Sequence, residues 1–235
     1  MSNSMKGRTC KIAVVIPAYN EGASIGAVAR GMNKYGDVIV VNDFSTDDTA
    51  AVAQSAGAIV VTHTTNRGYD AALSTGLSYA FKLSYDIAVT ADADGQHTGE
   101  AIENALGYIA SNSQCDVVLG KRQAFQRISE RIYSLYARVV WNISDPLCGL
   151  KAYRLSAFLA RDFEYSDNFV GTKLVALAIA RGCNLHEVSI VTVRRVGASK
   201  FGSGLRPNLV ILRSMLLAIR LIWRTRSESV GAIRK

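Results

Sequence analysis

The sequence predicts an α/β protein: a doubly wound, mostly parallel sheet flanked by helices, followed by a C-terminal amphipathic helix. Short β-branched apolar runs alternate with longer segments of helical periodicity, the pattern of repeated β-α units. The runs are apolar at nearly every position, as in strands covered on both faces. Near the end, Arg206, Arg213 and Arg220 recur every seven residues, with Arg224 four further on, which aligns them along one helical stripe.

Taken in order, strands are predicted at Lys11–Ile16, Asp37–Val41, Ala58–Thr62, Asp86–Thr90 and Asp116–Leu119. Helices are predicted at Gly22–Tyr35, Thr46–Ala56, Tyr69–Leu83 and Thr98–Asn112. Ser45-Thr46-Asp47-Asp48 reads as a helix start, with a hydroxyl cap and an acidic first turn. Two further helices, Ser129–Asn142 and Ser166–Arg181, and a late strand, Leu185–Val193, complete the expected elements. The expected organisation is a tail at 1–10, one domain at 11–203, and a basic helix with its tail at 204–235.

With 235 residues, 49% hydrophobic and 20% charged, the chain can bury a full core without disulfide or metal staples. Its four cysteines show no CxxC spacing, which argues against a zinc or redox site and for reduced, buried thiols. The polar start, Met1 to Cys10, lacks the apolar core of a signal peptide. Charge is uneven: residues 1–120 hold 7 Lys/Arg against 12 Asp/Glu, while residues 121–235 hold 20 against 7. The first part suits a cation and the second an anionic partner; a solvated basic surface is the plainer alternative.

In doubly wound sheets ligands bind beyond the carboxyl ends of the strands, which nominates Ala18–Glu21, Asn42–Ser45, Asn66–Gly68 and Ala91–His97. The strongest of these is Asp92-Ala93-Asp94-Gly95-Gln96-His97. Alternate residues of an extended segment point the same way, so Asp92 and Asp94 can converge, and two close carboxylates call for a cation or a proton. Hard oxygen ligands suit Mg²⁺ or Mn²⁺, which can bridge to a diphosphate. The same composition also fits an ordinary turn. Asp43 suits hydrogen bonds from a nucleobase or ribose, or alternatively capping of the helix near Thr46; Tyr19 offers an apolar face for a base. Arg67 suits a phosphate, with Gly68 allowing close backbone approach, although an exposed arginine beside a turn glycine looks the same.

In order, Pro17-Ala18-Tyr19-Asn20-Glu21, Val41-Asn42-Asp43-Phe44-Ser45-Thr46-Asp47, Asn66-Arg67-Gly68-Tyr69, Asp92–His97, Asp145–Arg154 and Arg194–Phe201 resemble the motifs of glycosyltransferase family 2. The later ones resemble the branch that glycosylates dolichyl and bacterial polyprenyl phosphates. The resemblance covers roughly residues 10 to 202 and implies the GT-A fold and a nucleotide-sugar donor. It implies that Pro17, Ala18, Tyr19, Glu21 and Asp43, with Arg67, Gly68 and Ala93, surround the donor. It further implies Asp92, Asp94 and Gln96 at an Mg²⁺ or Mn²⁺ ion, Arg122 and Arg131 at an acceptor phosphate, and Asp145 at the reaction centre. Arg195, Ser199 and Lys200 would form a loop over the diphosphate. Asn42-Asp43-Phe44-Ser45 departs from the commoner Asp-Asp-Gly-Ser, and Thr172-Lys173 stands where related enzymes often carry a glutamate.

A hydroxyl acceptor needs a positioned base, for which Asp145 is the candidate. A phosphate monoester, with a second pKa of about 6, is already largely dianionic and needs cationic side chains to hold it. The expected activity is therefore inverting transfer of a hexose from a UDP- or GDP-sugar to a polyprenyl phosphate, at the cytoplasmic face of the membrane. Transfer to a saccharide hydroxyl, nucleic-acid binding and an inactive nucleotide-sugar sensor are the alternatives; no nucleic-acid motif is present. Asn208 to Trp223, at ~1.5 Å per residue, reaches ~24 Å, short of a ~30 Å hydrocarbon core, so the C-terminal helix is expected to lie in a membrane interface or to pack on the domain or a dimer partner.

Overall fold

A computed structural model of the chain describes residues 10–125, 127–159, 172–193 and 205–233. The strands are β1 (Ile12–Ala18), β2 (Asp37–Asn42), β3 (Ile59–Thr62), β4 (Ile87–Thr90), β5 (Val117–Arg122), β6 (Lys151–Arg154) and β7 (Leu185–Ile190). The helices are α1 (Gly22–Met32), α2 (Thr49–Ser55), α3 (Tyr69–Lys82), α4 (Gly99–Ser111), α5 (Ile128–Trp141), α6 (Leu155–Leu159), α7 (Thr172–Ala180) and α8 (Leu205–Ile233).

The strands form one sheet in the order β3-β2-β1-β4-β6-β5-β7. All pairings are parallel except those of β6, which runs antiparallel to β4 and β5. The apolar runs explain this burial: Ala13 to Ile16 and Val38 to Val41 are almost wholly shielded from solvent. On one face, Ile25, Ala29, Ala53, Ile102 and Ile109 bring α1, α2 and α4 onto the sheet. On the other, Leu73, Leu77, Phe158 and Val175 bring α3, α6 and α7. A third cluster joins α5, α7 and α8 through Tyr133, Ala137, Ala176, Ile211, Ala218 and Ile222.

Several boundaries differ from expectation for identifiable reasons. α2 begins at Thr49, not Thr46, because the nearby polar groups serve other partners. Ser45 Oγ accepts from Asn20 N–H (2.9 Å), Thr49 Oγ1 accepts from Glu21 N–H (2.8 Å), and Asp47 Oδ2 accepts from Gly22 N–H (3.0 Å). The late strand ends at Ile190, after which, among the described residues, a His97–Thr192 bridge continues the pairing. α7 starts at Thr172; residues 166–171 of the expected helix lie outside the described residues. β6 carries Lys151 and Arg154 within four residues, so it lacks the apolar signature by which the other strands announce themselves.

Gly76 lets α3 lie close to the sheet: a Cβ there would sit 2.3 Å from Val15 Cγ1 and 3.1 Å from Val41 Cγ2. Gly76→Ala is therefore expected to destabilise by about 1–3 kcal/mol through overpacking, more than offsetting the gain in helix propensity. Urea denaturation checks this; equal or greater stability would contradict the packing.

Candidate functional site

The parallel strands all end at one rim, and strand order reverses between β1 and β4, the switch point at which such sheets bind ligands. Pro17 and Ala18 end β1 in the core, whereas Tyr19 and, after β2, Phe44 expose their rings. Asn20, in left-handed conformation at φ 51°, accepts from Thr46 N–H through Oδ1 (2.8 Å), so the β1–α1 and β2–α2 loops brace each other. Glu21 stands just before α1, its carboxylate receiving Ser24 Oγ–H at 3.1 Å.

Asp43 does not cap α2. Almost fully buried, it accepts Arg67 N–H on Oδ1 (2.8 Å) and Gly68 N–H on Oδ2 (2.7 Å). His63 Nδ1 approaches Oδ1 at 2.7 Å, and its Nε2 lies 2.9 Å from Thr75 Oγ1. A carboxylate with three such partners is an anchor for the loop between β3 and α3. Gly68 takes φ +87°, which favours glycine there, and the Arg67 side chain is exposed beside it.

The acidic turn follows β4. Asp92 Oδ1 accepts from Tyr69 O–H at 2.9 Å. Tyr69 shows its ring to solvent, but burial of the hydroxyl and the Asp92 charge raise its pKa well above the ordinary phenol value. Asp92 N–H donates to His97 Nδ1 (3.1 Å), which in the neutral ring leaves the proton on Nε2, 3.7 Å from Asp92 Oδ2. Asp94 is buried and accepts Gln96 N–H (3.0 Å), closing the turn around Gly95 at φ +76°; Ala93 is buried between the two acids. The turn is also tied to the segment after β7, since Val193 N–H donates to Gln96 O at 3.1 Å.

Behind this turn lie two residues of the Asp145–Arg154 motif to which the sequence assigned no role of their own. A Cβ on Gly149 would fall 2.5 Å from Asp92 Oδ2 and 2.7 Å from Oδ1, so the carboxylate occupies the space a side chain would take. Lys151 is buried and donates to Cys148 O; burial draws its pKa below the usual lysine value, opposed by Cys148, Asp145 and Asp92. The same burial, with the Asp145 charge, pushes the Cys148 thiol up to about 12, so it stays protonated. Among the described residues no group of three or more His, Cys, Asp or Glu comes together as a metal cage. Mg²⁺ and Mn²⁺ bound with nucleotides need only one or two carboxylates, the remaining positions going to phosphate oxygens and water. The partly exposed Asp92, with Asp94 and Gln96 in one turn, fits that partial shell.

Asp145 is completely buried. Arg122 grips both its oxygens, Nε to Oδ2 at 2.7 Å and Nη2 to Oδ1 at 3.0 Å, and adds its own N–H to Oδ2 at 3.2 Å. Burial works against the Arg122 charge, but the Asp145 hydrogen bond and charge outweigh it, and its pKa is raised. Glu187 Oε1 fixes the same turn by accepting Ser144 N–H (2.7 Å) and Asp145 N–H (2.9 Å). Immediately after Arg122 an open cleft of about 410 Å³ is lined by Gln123, Ala124, Phe125, Arg131, Ser134, Leu135 and Arg138. The structure thus gathers Asp43, Arg67, Gly68, Asp92, Asp94 and Asp145 at one rim and sets Arg131 in a cleft beside Arg122. Arg195, Ser199 and Lys200 lie outside the described residues.

Comparison with known proteins agrees with this architecture. The family model described as glycosyl transferase family 2 matches residues 13–171. A UDP-N-acetylglucosamine–dolichyl-phosphate N-acetylglucosaminyltransferase of Methanococcus voltae is 28% identical over 215 residues, covering 77% of this chain and 85% of that protein. The polyprenol monophosphomannose synthase of Mycolicibacterium smegmatis is 28% identical over 225 residues, with 84% of each chain covered. Among solved structures, glucosyl-3-phosphoglycerate synthase from Mycobacterium tuberculosis, in complex with Mn²⁺, UDP and glucosyl-3-phosphoglycerate, superposes with a TM-score of 0.67 at 20% identity. That alignment covers 96% of this chain and 87% of that one, a likeness of fold. With the model spanning well over half of its length, the chain belongs to glycosyl transferase family 2.

Proposed function

We propose that this glycosyltransferase moves a hexose, with inversion, from a UDP- or GDP-sugar to a polyprenyl phosphate at the cytoplasmic face of a membrane. The observation that carries this reading is the state of Asp145. A fully buried carboxylate with arginine on both oxygens is poorly placed to take a proton from a hydroxyl. An acceptor that arrives as a phosphate dianion needs no base. It needs cations, and Arg131 and Arg138 line the cleft next to Arg122. Asp145 then acts by positioning Arg122. The names of two relatives, a dolichyl-phosphate N-acetylglucosaminyltransferase and a polyprenol monophosphomannose synthase, support the same acceptor class.

On the donor side, Pro17, Ala18, Tyr19, Glu21 and Asp43 would border the nucleoside, with Arg67 and Gly68 near the diphosphate. Asp92, Asp94 and Gln96 would hold Mg²⁺ or Mn²⁺, which supplies charge neutralisation to the departing diphosphate. Tyr69 keeps its proton and holds the Asp92 carboxylate in one orientation. Arg195, Ser199 and Lys200 would close over the diphosphate.

With radiolabelled UDP- and GDP-hexoses, Mn²⁺ and a short-chain polyprenyl phosphate, label is expected in an organic-extractable, acid-labile product; label found solely on saccharide hydroxyls would remove the lipid-phosphate acceptor. Arg131→Ala is expected to raise the acceptor KM about 10–100-fold, the loss of one charge-assisted hydrogen bond, with the donor KM unchanged. In Gly149→Ala the added methyl displaces the Asp92 carboxylate. Mn²⁺-dependent binding of the nucleoside diphosphate, measured by calorimetry, is expected to weaken about tenfold or more, a loss of ~1.4 kcal/mol. Unaltered binding would disconnect Asp92 from the donor.

A further inference from the structure

We infer that the outer face of α5 and the adjoining flank of α8 form one continuous surface that docks on an anionic lipid bilayer. The inference deepens the function proposed above and rests on it for its purpose, since a lipid-linked acceptor has to be met at a membrane.

α5 is apolar on two opposite sides. One side packs inward through Tyr133 and Ala137. The other carries Ile128, Ile132, Leu135 and Val139, 73%, 46%, 65% and 77% exposed, at spacings of four, three and four that hold them within about 60° of one another. α8 repeats the arrangement: Pro207, Ile211, Ala218 and Ile222 face the domain, while Leu209, Leu216 and Trp223 are exposed. The two helices are pinned together where Ser129 N–H and Oγ–H donate to Asn208 Oδ1, at 3.2 and 2.7 Å. Leu209, Leu216 and Trp223 lie about 60–100° round α8 from Asn208, next to the α5 stripe. Beyond them on α8 come the exposed Arg206, Arg213 and Arg220; beyond the α5 stripe come the exposed Arg131 and Arg138.

The surface therefore runs from arginine, across two apolar stripes, to arginine. Among the described residues of the two helices no exposed carboxylate interrupts it: the one acid on α5, Glu130, is buried beside Arg127, and α8 has none between positions 205 and 227. That sequence of chemistries complements a bilayer interface, where acyl chains receive the apolar residues and lipid phosphates receive the arginines. Nucleic acid offers nothing to a stripe of isoleucine, leucine and valine, and a second copy paired through the same patch would set arginines against arginines. Among the described residues no helix is long and apolar enough to cross a membrane, so the contact is with the surface. It also brings the cleft containing Arg131 and Arg138 to the level of lipid phosphates.

Vesicle co-sedimentation tests this with the full chain, using phosphatidylcholine vesicles with and without about one-third phosphatidylglycerol. The parent protein is expected to bind the anionic vesicles, and less at high salt. Ile132→Glu/Val139→Glu on α5 and Leu209→Glu/Leu216→Glu on α8 are each expected to reduce binding about tenfold or more. These side chains face solvent, so thermal midpoints should stay within a few degrees, and Ile132→Glu/Val139→Glu should still glycosylate a short, water-soluble polyprenyl phosphate. Undiminished vesicle binding in both double variants would overturn the inference. So would a parent dimer that ignores vesicles and becomes monomeric in Ile132→Glu/Val139→Glu. Vesicle binding that depends on these residues, with no transfer to any polyprenyl phosphate, would keep the docking face and remove the proposed acceptor.

Discussion

Three of the carboxylates at the carboxyl-end rim of the sheet, Asp43, Asp92 and Asp145, must be compensated before the rim can exist, and each is compensated differently. An isolated charge taken out of water is costly, and removing the partner of a buried ion costs about 3–5 kcal/mol. Asp43 is met by two backbone amides and His63, which spends its charge on shaping the loop after β3. Asp145 is met by Arg122, and their pair joins the end of β5 to the turn that leads into β6. Asp92 receives a tyrosine hydroxyl and is the partly exposed member. The first two build the frame; the third keeps part of its carboxylate open to solvent.

This division of labour follows from topology. Parallel strands deliver their carboxyl ends to one side, so the loops after β1, β2, β3 and β4 meet there without long connections. β6 runs the other way and brings Gly149 and Lys151 up beneath the acidic turn. Thr90 ties these pieces together: its hydroxyl donates to Gly149 O at 2.6 Å and accepts Lys151 N–H at 3.1 Å. A second set of contacts, through α5, α7 and α8, fixes the helices that carry the basic and apolar surface on the same half of the chain as the arginine-lined cleft.

Much of the fold was legible because buried parallel strands write themselves as continuous apolar runs: the five expected before residue 120 all form, with ends within two or three residues. β6 was not, because Lys-Ala-Tyr-Arg is stabilised by burial against β4 and β5, which no local pattern records. At the site, strand ends located Asp43 and Asp92 without knowing their partners. His63 was a lone histidine in the sequence, and only the fold shows it against Asp43. Gly149 stood in the Asp145–Arg154 motif without a role of its own, and only the fold places it against the Asp92 carboxylate. The outer stripe of α5 carries the periodicity of a core face, and spacing alone does not say which side of a helix turns outward. α8 packs on the domain with one face, one of the expected alternatives, and presents arginines and large apolar side chains with the other.

The central claim is that Asp92 and Asp94 share one divalent cation with a donor diphosphate at this rim. Electron paramagnetic resonance of free and bound Mn²⁺ measures it directly, in the parent protein and in Asp92→Asn, with and without UDP or GDP. Weak binding by the protein alone is expected, with at least tenfold tighter binding with one of the two nucleotides and loss of that enhancement in Asp92→Asn, since phosphate oxygens would complete the shell. Mn²⁺ affinity that neither nucleotide changes, or that survives Asp92→Asn intact, would contradict it.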